Sequence, residues 1–415
     1  MSIIFDITGY ELLDSRGIPT VGCRVTCKSG FSGFAIVPSG ASKGAFEAFE
    51  LRDNDPQRFG GKGTLKAISN IEGPLKNALV GKDVFDQKAI DEIMIRLDHS
   101  EDKSNLGANA ILAISMAVAR CASNVSGKPL YRTLGATKAS LPTPMMNIIN
   151  GGVHANNNLA FQEFMIVPHG FDSFAEKVRA GSEVFHVLKK ILDKGGYSTS
   201  VGDEGGFAPT LASAEAALEL ILVAIEKARY KPLEQISIAL DCAASNFYQN
   251  DGYFIDRTHP EKGMRSSLQQ VAYLKELAKQ YPITSIEDGL AENDWSGWSS
   301  LTKECDGLQI VGDDIFVTNK KFLERGVKEK IANAILIKPN QIGTVTETLE
   351  TIDFAKSHNY ECIISHRSGD TEDTFIADLS VATKAKMIKT GSMSRSERIC
   401  KYNRLLEIEK NTSKQ

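Results

Sequence analysis

Residues 334–338 read Ala-Ile-Leu-Ile-Lys, four apolar positions closed by a charged one. Such a run is short enough for a strand buried on both faces and too short for a helix. The phrase recurs along the chain. Residues 236–240 lead to Asp241, 283–286 to Glu287, and 308–311 with Gly312 to Asp313. Residues 362–365 lead to His366, Arg367 and Ser368, and Met387 with Ile388 to Lys389. From Glu287 onward the closing residues are 26, 25, 28 and 23 positions apart, and Asp241 precedes Glu287 by 46. A strand, a crossover helix and two turns need about that much chain. The wider gap is read as one helix and a long loop.

Helical patterning fills the spaces. Residues 173–194 place Phe174, Val178, Gly181, Phe185, Leu188 and Leu192 on one face. Residues 213–229 do the same with Leu218, Ile221, Leu222 and Ile225. Ser266 and Gln269 form a capping-box pattern ahead of Val271, Leu274 and Leu277. Repeated strand–helix units suggest a (β/α) barrel, although an open sheet fits the same pattern. In a barrel, every polar closure reaches one mouth, where active sites are built.

The earlier part reads differently. Residues 21–27 and 33–37 are strand-like and separated by a turn at 28–30, and an apolar helix is expected over 104–124. Strands followed by helices indicate an α+β domain. The small, polar, proline-bearing stretch at 135–144 is the expected junction, which divides the chain into 1–136 and 137–415.

Composition sets limits. The chain has 415 residues, 42% hydrophobic and 24% charged, with a net charge of −4 and no basic run. That argues against nucleic acid as a partner. Seven scattered cysteines lack zinc-site spacing and are expected to be reduced thiols. The longest apolar stretch, 108–122, carries Asn109 and Arg120 and is expected to be too short to span a bilayer. The opening residues, interrupted by Asp6, Glu11 and Asp14, do not read as an export signal, so a cytoplasmic location is expected.

Asp241, Glu287 and Asp313 at successive strand ends cannot all remain charged and unpaired in a dry mouth, because burying uncompensated charge costs several kcal/mol. Three carboxylates with water and substrate oxygens suit octahedral Mg²⁺. Any one of them alone would more often be a cap or a surface charge. Lys338 would share that mouth, where a cation and Lys389 should depress its pKa and make it a general base. Glu204 stands among glycines in Gly202-Asp203-Glu204-Gly205-Gly206, either a tight turn or an acid shown to a ligand. Asn150-Gly151-Gly152-Val153-His154 is similar, and Gln162-Glu163 adjoins another apolar run. The loop Val37-Pro38-Ser39-Gly40-Ala41-Ser42-Lys43-Gly44 lacks P-loop spacing.

Taken together, these stretches resemble the enolase family over essentially the whole chain. The resemblance is carried by LLDSRGIPTV (12–21), VPSGASKG (37–44), FELRD (49–53), SNLGANAIL (104–112), MNIINGGVHA (146–155), QEFMIVP (162–168), GDEGGFAP (202–209), LDCAAS (240–245), SIEDGL (285–290), GDD (312–314), IKPNQIGT (337–344), SHRSGDTEDTFIADL (365–379) and IKTGS (388–392). It implies an α/β chain: an N-terminal α+β capping domain and a C-terminal (β/α)8-type barrel of enolase topology, whose first strands depart from simple alternation. It implies Mg²⁺-dependent dehydration of 2-phosphoglycerate to phosphoenolpyruvate. The first metal would be held by Asp241, Glu287 and Asp313, and a second, arriving with substrate, by Ser42. Lys338 would be the base and Glu204 the acid, assisted by Glu163. Arg367 and Ser368 would grip the phosphate, with His366, Lys389, His154 and Gln162 lining the pocket. Homodimers, and in some members octamers, are implied as well. Lys43, Asn246 and Ile18 depart from the usual family residues, and Lys43 bears on loop closure. Rival readings are another superfamily reaction on an unphosphorylated acid, a non-enzymatic paralogue, and a phosphonate-specific relative.

Overall fold

The structure, a computed structural model, describes residues 1–41, 44–256 and 259–412. Its first unit is an antiparallel sheet of β1 (Ile4–Leu13), β2 (Pro19–Cys27) and β3 (Ser32–Ile36), in that order. Along β2 the alternate residues Val21, Cys23 and Val25 are fully buried, the period-two signature of a half-buried strand. β1 was not legible in advance, because Asp6, Thr8 and Glu11 break its apolar alternation on an edge strand.

The helix α2 (Ala108–Ser126) backs the sheet, and α1 (Gln87–Asp98) packs against α2. α2 starts later than the expected residue 104, since Lys103 and Gly107 take left-handed φ values of 63° and 95°. At 19 residues and a mean hydropathy of 1.3 it is longer than the sequence reading allowed, and by length and composition it could cross a membrane. Burial gives the other explanation: 83% of that window is buried, largely against β2 and β3. The approach is close enough that a Cβ on Gly33 would run into the backbone of Ala117 and Cys121. From 134 to 142 the chain forms no helix or strand.

Eight strands then close into a barrel: β4 (Thr143–Asn150), β5 (Glu163–Val167), β6 (Ser237–Asp241), β7 (Ile283–Glu287), β8 (Gln309–Gly312), β9 (Ala334–Ile337), β10 (Glu361–Ser365) and β11 (Met387–Lys389). All neighbours are parallel except β5, which runs antiparallel to both β4 and β6. The reversal decides one site residue. The beginning of β5 lies at the mouth where the other strands end, so Glu163 pairs directly with Asp241. Met145, Met165, Val167, Ala239, Val311, Ala334, Leu336 and Ile363 form a separate buried cluster, the filling of the barrel.

Outside the barrel lie α3 (Phe174–Lys194), α4 (Ala214–Lys227), α5 (Ser267–Gln280), α6 (Trp295–Glu304), α7 (Lys320–Glu329), α8 (Val345–Ser357), α9 (Phe375–Ala382) and α10 (Ser396–Thr412). The capping box read at Ser266 and Gln269 is present on α5. α3 and α4 follow each other with no strand between, a consequence of the reversed β5. The 46-residue gap before Glu287 holds more than a helix and a loop, because residues 248–265 include a small three-stranded sheet. The seven cysteines are free thiols.

The N-terminal unit is stitched to the barrel mouth. Ser39 and Gly369 exchange backbone hydrogen bonds of 2.8 Å in both directions. Arg120 on α2 donates to Asp373 at 2.6 Å through Nη2.

Candidate active site

Each polar closure read from the sequence stands at the carboxyl end of its strand or just beyond it. Glu287 ends β7 and Asp241 ends β6, and the two are paired in register. Asp313 follows β8, Lys338 follows β9, and Ser365 at the end of β10 pairs with Lys389. His154 and Gln162 come from the connection between β4 and β5, and Glu204 from the loop between α3 and α4. One pocket is lined by His154, Gln162, Glu163, Glu204, Asp241, Lys338, Ser365, His366, Arg367, Ser368 and Lys389. Ser42 and Lys43 lie outside the described residues.

Lys389 is the hub. Its ammonium is 2.8 Å from Asp241 Oδ2, 2.9 Å from both oxygens of Glu287 and 3.2 Å from Glu163 Oε1. All four side chains are essentially buried. Burial opposes the Lys389 charge, but Asp241, Glu163 and Glu287 outweigh it and hold its pKa well above the ordinary lysine value. Glu287 is pushed well up by burial and by Asp241.

Lys338, expected to have a depressed pKa beside a cation, stands here beside Asp313. Its ammonium is ion-paired with Asp313, whose other oxygen accepts from Gln341 Nε2 at 2.9 Å. Burial favours the neutral amine, but Asp313 overrides burial and holds the pKa above the usual lysine value rather than below it.

The second focus is a carboxylate pair. His154 Nδ1 lies 3.8 Å from Glu163 and 3.7 Å from Glu204, and His366 Nε2 lies 3.3 Å from Glu204 Oε2. Asn147 Nδ2 donates to Glu204 at 3.1 Å. Burial and the neighbouring Glu204 drive Glu163 well above the carboxylate range. Burial also works against ionised Glu204, but His366 and His154 outweigh it and leave it well below that range. Two like charges this close cannot both ionise in a dry pocket.

The third focus is cationic. Arg367 donates to both oxygens of Glu47, at 2.9 and 3.1 Å, and to Asn340 Oδ1 at 3.2 Å. Ser368 Oγ accepts from the amide of Ala41 at 2.6 Å, so the loop ahead of Ser42 closes onto this corner.

The residues fit a divalent cation. Glu163, Glu204, Asp241, Glu287 and Asp313 are all buried with few cations among them, and the ammonium of Lys389 already occupies the space between Asp241 and Glu287. Hard oxygen donors of this kind take hard divalent ions. Asp288, Asp313 and Asp314 also bring ligand atoms within 4.8 Å of one another. Asp288, however, spends its oxygens on the amides of Asp313 and Asp314, at 2.9 and 3.0 Å.

Sequence reading missed Glu47, Asn147, Gln341 and Arg398. Gln341 lies inside a quoted stretch and Glu47 falls between two of them, but neither carries a strand-end signal. Asn147 sits in the middle of a strand, and Arg398 lies on a helix with no feature to mark it.

A barrel with buried carboxylates, two lysines and a histidine-flanked acid pair at its mouth defines a class: a barrel enzyme with acid–base groups around a divalent-metal site. Residues 4–134 match the enolase N-terminal domain, and residues 138–415 match the enolase C-terminal TIM barrel domain. The chain belongs to the enolase family and is a hydro-lyase of the enolase type.

Proposed function

We propose that the protein catalyses the reversible, Mg²⁺-dependent dehydration of 2-phosphoglycerate to phosphoenolpyruvate. The observation that carries this reading is that Lys338, the Glu163–Glu204 pair and the phosphate-gripping pair Arg367 and Ser368 line one pocket. That is the set needed to take a proton from one carbon, give one to a leaving hydroxyl, and anchor a phosphorylated acid.

Asp241, Glu287 and Asp313 would hold the first Mg²⁺ and Ser42 would help hold a second arriving with substrate; when bound, the ions supply positive charge against the dianion that forms on the substrate carboxylate. Once Asp313 and Glu287 no longer balance it, burial, Arg367 and Lys389 each favour the neutral amine of Lys338. Its Nζ then takes the C2 proton. The proton for the departing C3 hydroxyl comes from the Glu163–Glu204 pair, with Glu204 facing the leaving group. Lys389 stabilises charge on the carboxylate, and His154, Gln162 and His366 shape the pocket around it. Arg367 and Ser368 hold the phosphate, a task suited to a planar guanidinium. In this reading the enzyme works in glycolysis and gluconeogenesis, in the cytoplasm, as a homodimer.

The test is a continuous absorbance assay for phosphoenolpyruvate with and without a chelator. Turnover of 2-phosphoglycerate that stops with EDTA and returns with Mg²⁺ is expected. Turnover of plain carboxylic acids in its place would sink the proposal.

A further inference from the structure

We propose that Arg398 is a positioning residue that fixes the tautomer of His366, so that Nε2–H is presented to Glu204. The inference rests on the reading above that places His366 and Glu204 in one active site.

Arg398 lies in the first turn of α10 and is fully buried. Its Nη1 is 2.6 Å from His366 Nδ1. A guanidinium only donates, so Nδ1 must be the accepting, unprotonated nitrogen. The single proton of a neutral imidazole then sits on Nε2, which lies 3.3 Å from Glu204 Oε2. Burial keeps this ring neutral, pushing its pKa down to about 4 against the pull of Glu204, with Arg398 adding to the depression.

The guanidinium does more than touch the ring. It also donates to the carbonyls of Arg367 and Ser368, and to that of Asp203 at 3.0 Å. One planar group therefore ties the loop after β10 to the loop that carries Glu204. Arg398 is itself held by Glu397, 3.3 Å from Nε, and by Asp370, 4.0 Å from Nη1. Asp370 is in turn 2.8 Å from Lys401. The imidazole cannot reverse its tautomer without facing an N–H with an N–H at Arg398 and a lone pair with a carboxylate at Glu204. Without Arg398 nothing in this contact set forbids the Nδ1–H form, which would turn a lone pair toward Glu204.

The experiment begins with the unaltered protein, labelled with ¹⁵N-histidine and free of ligand. Long-range ¹H–¹⁵N correlation spectra near neutral pH read both ring nitrogens, and the His366→Gln spectrum identifies the signal among the seven histidines. Nδ1 at a lone-pair shift and Nε2 at a protonated shift are expected. A protonated Nδ1, or an imidazolium, overturns the proposal, and this measurement stands even if no Arg398 variant folds. For variants, Arg398→Lys retains a donor and should keep the tautomer and most of kcat. Arg398→Met should mix the tautomers and lower kcat about 100-fold with little change in KM, within the range for a mispositioned proton-transfer group. An Arg398→Met protein with the original tautomer and normal kcat also overturns it. Failure of the unaltered protein to act on 2-phosphoglycerate would remove the substrate assignment while leaving the tautomer result readable.

Discussion

Glu47 and Arg367, 320 residues apart in the chain, form a two-point ion pair at 2.9 and 3.1 Å with both side chains nearly out of solvent. The carboxylate occupies the fork that, in the proposed reaction, also serves the substrate phosphate. Glu47→Ala would leave a buried guanidinium without that carboxylate, which typically costs about 3–5 kcal/mol. A phosphate ligand can replace the lost charge. Melting curves should therefore show a lower Tm for Glu47→Ala and a larger upward shift with 2-phosphoglycerate than the unaltered protein shows. Equal ligand shifts in the two proteins would argue against a phosphate at Arg367.

Lys338→Ala removes the proposed base. The phosphoenolpyruvate assay should fall by roughly two to four orders of magnitude, the usual worth of a positioned base, with no change in the far-ultraviolet circular dichroism spectrum. A loss under tenfold would reassign the proton transfer.

Lys389→Met tests the charge balance at the mouth. Without metal, Asp241 and Glu287 would lose their shared ammonium, and breaking such a buried pair destabilises by about 3–5 kcal/mol. Mg²⁺ should restore part of that stability, because a divalent ion answers the same carboxylates. The check is chemical denaturation in EDTA and in excess Mg²⁺. A variant insensitive to Mg²⁺ would count against a cation at these residues.

The acid limb of stability should depend on Glu11. Its carboxylate accepts from Arg58 and from the Thr64 amide at 2.7 Å, which ties β1 to residues 58–64. The Arg58 hydrogen bond leads the causes that lower its pKa from 4.5 to about 2. Above the unfolded value both states are ionised and the whole contribution is present. As pH falls toward the folded value the unfolded chain takes up the proton first, so stability declines, and below that value the contribution is gone. Glu11→Gln should flatten stability against pH between about 4.5 and 2 relative to the unaltered protein, as read by urea titration at each pH. Parallel curves would show that the pair contributes nothing on folding.

Much of the barrel was readable because its strands are short apolar runs, each closed by a polar residue at a near-constant interval. Glu287, Asp313, Lys338, His366 and Lys389 could be placed at one mouth for that reason. What resisted reading has physical causes. β1 is an edge strand with polar interruptions, β5 runs against its neighbours, and the small sheet in 248–265 lacks a sustained pattern.

The chain alone therefore determined the repeating strand–helix order of most of the barrel, the polar residues that close its strands, and the chemical types available there, because periodicity and spacing are local properties of sequence. Only the tertiary structure decided which charges neutralise which. It set Lys389 between Asp241 and Glu287, Lys338 on Asp313, Glu47 on Arg367 and Arg398 on His366. Protonation states follow from burial and from partners hundreds of residues away, and those distances do not exist until the barrel closes.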